Sequence, residues 1–506
     1  MLVLRGTVQW LSLWLIAALY VQNVCSSAAN HVIARTSSGL VLGTRTCNEW
    51  DCVDAFLGIP YAQPPVNHLR FQRPLVVPPW SGIFSATKLP KPCFQRTGNV
   101  PPTPWGSNDS TSTEDCLYLN IWAPQWRQQT LPVMVWLHGG SFRIGSTDLE
   151  MYNGETLSSY GRVIVASVNY RLGALGFLYA GVSDIDGNMG LWDQHLALRW
   201  IKENIIFFGG DPSRIILFGQ SAGGIAGGLH AISPLSEGLI KGIVMMSGTP
   251  AWDIPWENSG GPERAVELAR RVGCIRTSLH PRIDPYVVRC MQSTPAENIL
   301  KAELSMFSDH LLTFLPRYGD ELIPTEPETA LQEGKLLPVD VLAGSMVNEG
   351  TFTYYLQRPC GIGLGWTANG IDKNVAREFL TSFFQDQLPQ AALEQVIHYY
   401  LDAVDPANST AVFRRMTAAA GNFLLECPTV FALQDISAHW PRVYSYRFGH
   451  RSAMSPWPEE FGVTHADEVP FVFGVPLRRH GLGYSSGDIE MSKILMLAWS
   501  SFAHHG

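Results

Sequence analysis

No run of lysines and arginines in this chain is longer than a pair such as Arg478-Arg479, and the formal charge is −8 at pH 7. Without a basic patch there is no electrostatic footprint for a phosphate backbone, so nucleic acid is not an expected partner. Cys-x-x-Cys and His-x-x-x-His spacings are missing as well, and with them any metal-ligand pattern. After the N-terminal segment no apolar run approaches the ~20 residues that span a bilayer. Repeats, Gly/Ser-rich or Pro-rich linkers and charge blocks are also lacking, which leaves nothing to divide 506 residues into separate domains. Charged residues make up only 16% and apolar ones 46% of the chain, a composition that excludes disorder and can fill a large core.

What is present begins with "MLVLRGTVQWLSLWLIAALYVQNVCSSAAN". Arg5 precedes an apolar core from Leu11 to Val21, and Ser26, Ser27 and Ala28 follow where a signal peptidase could cut. A secretory signal is expected over 1–28, a single domain over 29–506, and an extracellular destination. An uncleaved anchor is the alternative, but the apolar core is short for it. Losing Cys25 leaves Cys47, Cys52, Cys93, Cys116, Cys274, Cys290, Cys360 and Cys427, an even set that suits disulfides in an oxidising compartment. Asn108 in "NDS" and Asn408 in "NST" are N-glycosylation acceptors of the kind an exported chain carries.

"LPVMVWLHGGSF" and "GRVIVASVNYRLG" are short β-branched and aromatic runs bounded by Gly and Pro. "DQHLALRWIKENIIFFGGDPSRIILFG" passes from helical spacing into another such run. Strands alternating with helices predict an α/β fold: a mostly parallel central sheet covered by helices on both faces, with the site beyond the carboxyl ends of the strands. At one such end, Gly219-Gln220-Ser221-Ala222-Gly223 fits G-x-S-x-G. In that pattern a sharp strand-to-helix turn exposes a serine hydroxyl between small neighbours, which makes Ser221 the candidate nucleophile. Acyl chemistry at a serine also needs N–H donors aimed at the developing oxyanion. "HGGSF", His138 to Phe142, supplies a glycine loop after a strand, and the amides of Gly140, Ser141 and Ala222 are the candidate donors.

"FFGGDPSRIILFGQSAGG", "EDCLYLNIWAP" (Glu114 to Pro124) and "FLGIPYAQPP" (Phe56 to Pro65) resemble the type-B carboxylesterase and cholinesterase family of α/β-hydrolases. The similarity runs from about Gly39 to the last residues. It implies a triad of Ser221, then Glu349 in "GSMVNEGTF", then His465 in "GVTHADEVPFVFGVPL". Without the resemblance Glu349 cannot be told apart from Asp340 or Asp320. It also implies disulfides Cys93–Cys116 and Cys274–Cys290, each closing a loop of roughly twenty residues and contributing about 3 kcal/mol on a chain-entropy view. Cys47 and Cys52 flank "NEW", where the family has a hairpin turn, and the resemblance implies a third, local bridge between them. Cys427 matches a family cysteine whose partner lies in a C-terminal segment beyond "AWSSFAHHG"; either that segment is missing or Cys427 pairs with Cys360.

The resemblance places Trp105, Gln220, Trp252, His310, Leu312 and Phe352 in the substrate pocket. Trp105 and Phe352 would offer aromatic faces to a quaternary ammonium, or simply line an apolar gorge. Gln220 stands where cholinesterases carry a Glu, which weakens a cation site, and Leu312 leaves room for acyl groups larger than acetyl. The implied activity is hydrolysis of small carboxylic esters, choline esters among the candidates, without metal or organic cofactor. A catalytically silent adhesion protein of the neuroligin type is the alternative on the same fold.

Overall fold

The computed structural model describes residues 30–506 except 97–110, 126–127, 252–255, 257, 259, 276–281, 307–312, 357–369 and 386. The expected signal segment therefore lies outside the described residues. So do Trp105, Asn108, Trp252, His310, Leu312 and Cys360.

The strands in chain order are β1 (His31–Thr36), β2 (Gly39–Cys47), β3 (Cys52–Pro60), β4 (Ile83–Ser85), β5 (Tyr118–Pro124), β6 (Leu131–Leu137) and β7 (Ile164–Val168). They continue with β8 (Tyr179–Val182), β9 (Ile185–Asp186), β10 (Gly210–Gln220), β11 (Gly242–Met246), β12 (Asp340–Met346) and β13 (Val443–Phe448). Eleven of them form one sheet in the order β1-β2-β3-β5-β7-β6-β10-β11-β12-β13, with β4 beside β2, while β8 and β9 pair separately. From β7 to β13 every neighbouring pair is parallel; on the N-terminal side β1, β2, β3, β5 and β7 are joined antiparallel, and β4 lies parallel to β2.

The pleat decides how the sheet is covered. Successive side chains on a strand point to opposite faces, and β10 shows the result directly. Ile215 and Leu217 enter one core, shared with the helices Met189–Asn204 and Ala222–Ile232. Ile216 and Phe218 enter the other, against Leu157 of the helix Glu155–Gly161 and Met496, Trp499 and Phe502 of the helix Ser486–His505. Both faces of "IILF" are apolar because both are buried, as a parallel central strand requires. Each such side chain contributes about 1.5–3 kcal/mol on leaving water.

A third core is all-helical. Phe379, Leu380, Phe383, Leu393, Ile397, Phe413 and Met416 pack the helices Lys373–Phe384, Gln390–Leu401 and Ser409–Gly421 against one another. The last of these continues through a π-helical turn, Asn422–Glu426, into the helix Cys427–His439. Among the described residues this run, Ser409–His439, is the one helix long and apolar enough to cross a bilayer, and half of its apolar window is buried inside the protein. Its first helix backs the site: Gly421 and Thr417 press so closely on Gly350 that a Cβ there would overlap the Thr417 carbonyl oxygen.

Disulfides join Cys47 to Cys52, Cys93 to Cys116 and Cys274 to Cys290. Cys427 is in no disulfide among the described residues.

Candidate active site

Three loops converge at the carboxyl ends of β10, β12 and β13. The first carries Ser221. The residue is partly exposed and sits at φ 56°, ψ −124°, between the last residue of β10 and the first of the helix Ala222–Ile232. Such a backbone costs on the order of 1–3 kcal/mol for a residue with a side chain and persists only where its surroundings enforce it. Here they do. The Ser221 N–H donates to the Met246 carbonyl at 2.7 Å, and its own carbonyl accepts from the Ile225 N–H at 3.0 Å. The flanking glycines are steric requirements: a Cβ on Gly219 would overlap the Gly223 carbonyl, and one on Gly223 would overlap the Leu137 carbonyl.

The second loop leaves β12 and holds Glu349, which is 3% exposed. Its Oε1 accepts the Met346 N–H at 2.8 Å, fixing the carboxylate against the end of its own strand. Its Oε2 lies 2.7 Å from His465 Nδ1. His465 stands on the third loop, after β13, and is likewise buried. On the far side of its ring, Nε2 lies 2.9 Å from the side-chain nitrogen of Gln220, the residue before Ser221. Phe352 stacks on the same imidazole with centroids 4.4 Å apart and planes 20° from parallel. The structure thus brings Gln220, Glu349, Phe352 and His465 together beside the Ser221 turn.

The glycine loop after β6 forms the floor. Gly140 has φ 112°, and Ser141 and Phe142 are also left-handed, at 56° and 59°. Among the described residues nothing accepts the Gly140 or Ser141 amide hydrogens. The Ala222 amide opens its helix, where an N–H has no intrahelical acceptor. The loop is held by residues the sequence reading did not single out. Gln95 accepts the Gly145 N–H at 2.8 Å through its Oε1, and donates through its amide to the Gly145 carbonyl at 2.8 Å and the Cys93 carbonyl at 3.0 Å. Arg143 lies 3.9 Å from Glu303, whose Oε2 takes the Ala174 N–H at 3.0 Å. Burial lowers the Arg143 guanidinium to about 10 and raises the Glu303 carboxyl. His138, at the head of the loop, is buried and stacked on Tyr170 at 4.4 Å; burial depresses its pKa to about 4, so it is neutral.

Two acids, Asp467 and Glu468, follow His465 after Ala466 and were also not singled out. Burial, aided by the nearby Glu349 charge, pushes the Glu468 carboxyl well above its usual range, and one of its oxygens has no hydrogen-bond partner. Burial raises Asp467 to about 7, against the Thr464 N–H it accepts and the Arg451 charge. Their sequence signal is only adjacency, in "THADE".

Among the described residues no group of histidines, cysteines and acids is arranged to hold a metal ion. Asn408 is exposed and caps the helix Ser409–Gly421, accepting the Ala411 N–H at 3.0 Å through Oδ1.

The model of the carboxylesterase family matches residues 30–506. The chain is also 35% identical over 488 residues to a protein named cholinesterase from Mus musculus, an alignment covering 94% of this chain and 79% of that relative. A helix-flanked, largely parallel sheet with a strained serine turn at the end of its central strand is the framework this match implies, and the chain belongs to the carboxylesterase family, with the α/β-hydrolase fold.

Proposed function

We propose that the protein is a secreted serine carboxylesterase that works through an acyl-enzyme on Ser221. The observation that carries this reading is the 2.7 Å contact between Glu349 Oε2 and His465 Nδ1 beside the Ser221 turn. His465 takes the Ser221 hydroxyl proton on Nε2 as Oγ bonds to the ester carbonyl carbon. Glu349 holds the ring and stabilises the imidazolium. The oxyanion accepts hydrogen bonds from the Gly140, Ser141 and Ala222 amides, an electrostatic contribution of about 3–4 kcal/mol per donor. Collapse breaks the bond to the alkoxy oxygen, which leaves with the imidazolium proton. Water, deprotonated by the same nitrogen, then releases the acid and restores Ser221.

The substrates are small carboxylic esters. Choline esters are included, since a relative bears the name cholinesterase, but with little preference over neutral esters of similar size. Gln220 contributes no charge to a cation site, and one face of Phe352 is occupied by His465. Three disulfides support export to an oxidising compartment. The exposed Asn408 keeps its side-chain nitrogen out of the helix cap, so glycosylation and capping are compatible there.

The test is labelling with a fluorophosphonate followed by a panel of acetylthiocholine, butyrylthiocholine and a neutral aryl ester. Adduct on Ser221 and turnover of all three is the expected result. Absence of both would favour the adhesion alternative.

A further inference from the structure

Gln220 is 5% exposed, so its carboxamide cannot rely on solvent for hydrogen bonds. Its side-chain nitrogen meets His465 Nε2 at 2.9 Å while Glu349 Oε2 meets Nδ1 at 2.7 Å. An ionised carboxylate only accepts, so the ring proton sits on Nδ1. An amide NH2 only donates, so Nε2 spends its lone pair on Gln220. The reverse amide orientation would need a proton on Nε2, and the neutral ring has none left to give. In this orientation the two contacts fit the neutral Nδ1–H imidazole, and an imidazolium would require the amide to be turned. With Phe352 across one ring face, the base is held from three directions.

We propose that Gln220 is a positioning residue for the general base: it caps Nε2 of His465 in the resting enzyme and makes that nitrogen a weaker base than an uncapped imidazole. This rests on the esterase reading above and deepens it. A donor on the lone pair stabilises only the unprotonated ring, so protonation must first break that bond. When Ser221 delivers its proton to Nε2, the Gln220 NH2 faces an N–H and must turn away. The same turn presents Oε1, which accepts from the imidazolium. One amide thus serves both protonation states by rotation, whereas a carboxylate at this position would serve only the charged one. The consequence is an acid limb that lies lower with the amide in place than without it.

Among the described residues, the charged and titratable groups around the base include Glu349 on Nδ1, Asp467 and Glu468 on its own loop, Arg451 beside Asp467, and Tyr446 hydrogen-bonded to Glu468 at 3.4 Å. None is altered by substitution at 220, so differences among variants there report the cap itself.

The experiment compares wild type with Gln220→Met, Gln220→Asn and Gln220→Glu in the full-length protein. The pH profile of kcat/KM is measured on a neutral aryl ester. The His465 imidazole titration is followed by NMR and identified by its loss in His465→Ala. Met has the length but no donor, and Asn is one methylene short of Nε2. Either should move the acid limb up by roughly half to one pH unit, the equivalent of one neutral hydrogen bond. Glu should move it further, because a carboxylate favours the imidazolium. An acid limb and imidazole titration that stay in place in Gln220→Met and Gln220→Asn would overturn the proposal. Should wild type turn over no ester, the esterase reading fails, and the imidazole titration still decides this one: upward movement in either variant supports the cap, and none overturns it.

Discussion

Thr351 and Thr464 share a 2.7 Å hydrogen bond between their hydroxyls, both buried, and so tie the loop that carries Glu349 to the loop that carries His465. The tie is doubled by Asn348, whose N–H donates to the Val463 carbonyl and whose Oδ1 accepts the Val463 N–H, each at 3.0 Å. Two segments more than a hundred residues apart in sequence are thereby set in register just where the carboxylate meets the imidazole. Thr464→Val keeps the shape and removes this one bond, while the Thr351 hydroxyl still donates to the Asn348 carbonyl at 2.9 Å. It should cost about 0.5–1.5 kcal/mol of stability and lower kcat with little change in KM, as read by urea unfolding and steady-state kinetics. Adding Thr351→Val should cost less than the sum of the two single changes; full additivity would mean that the pair does not act as a unit.

Ser221→Ala should leave the protein folded but remove turnover. Loss of a triad serine typically costs orders of magnitude in kcat. Retention of more than about one per cent of wild-type kcat, or fluorophosphonate labelling that survives the substitution, would reject Ser221 as the nucleophile.

Glu349→Gln preserves the bond from Met346 but can no longer fix the ring proton on Nδ1. A folded enzyme slowed by roughly a thousandfold or more is expected. Asp340→Asn and Asp320→Asn serve as comparisons. Asp340 sits between Lys241 and Arg442, and Asp320 takes the Asn188 amide and the Ile323 N–H, so damage from them should appear in stability rather than in kcat.

Gln95 bonds both the N–H and the carbonyl of Gly145, so Gln95→Ala should loosen the oxyanion loop. The expected signature is a fall in kcat on the order of tenfold, with KM nearly constant, since such donors act on the transition state more than on bound ester. A rise in KM at constant kcat would assign Gln95 to substrate binding instead.

Asp467 predicts a stability difference that depends on pH. Burial raises its pKa from 3.8 to about 7. The folded chain therefore holds the proton over a range where the unfolded chain has released it. This residue's contribution is fully present below pH 3.8 and is lost as pH rises through about 7. Asp467→Asn keeps an acceptor for the Thr464 N–H and cannot ionise. Its Tm should match wild type at about pH 4 and exceed it at about pH 8, by an amount worth roughly 1–3 kcal/mol given the partial exposure of the side chain. Equal Tm values at the higher pH would refute the assignment.

These residues differ in how far the sequence revealed them. The Ser221 turn was legible because its demands are local: Gly219 and Gly223 leave room for neighbouring carbonyls, and the pattern fits in five positions. Both faces of β6 and β10 could be read from their unbroken apolar runs. Glu349 and His465 needed a family resemblance, because their pairing spans 116 residues and no local feature marks either one. Gln95 and the Thr351–Thr464 tie were missed because their partners lie 50 and 113 residues away. Gln220 was noticed for a substrate it would face, yet the side chain with which it bonds lies 245 residues further on. A distance of that kind becomes visible only when the sheet brings β10 and β13 into one layer.

The alternation along β10 makes that strand a ruler. Ile215 and Leu217 belong to one core, Ile216 and Phe218 to the other, and Ser221 follows three residues later. Removing a single residue from "IILFG" would exchange the two apolar sets and aim the turn at the opposite face of the sheet. A loop of the same length could lose a residue and survive. The spacing between the last core side chain and the serine is thus a quantity that an insertion or deletion would disrupt and a substitution would leave intact.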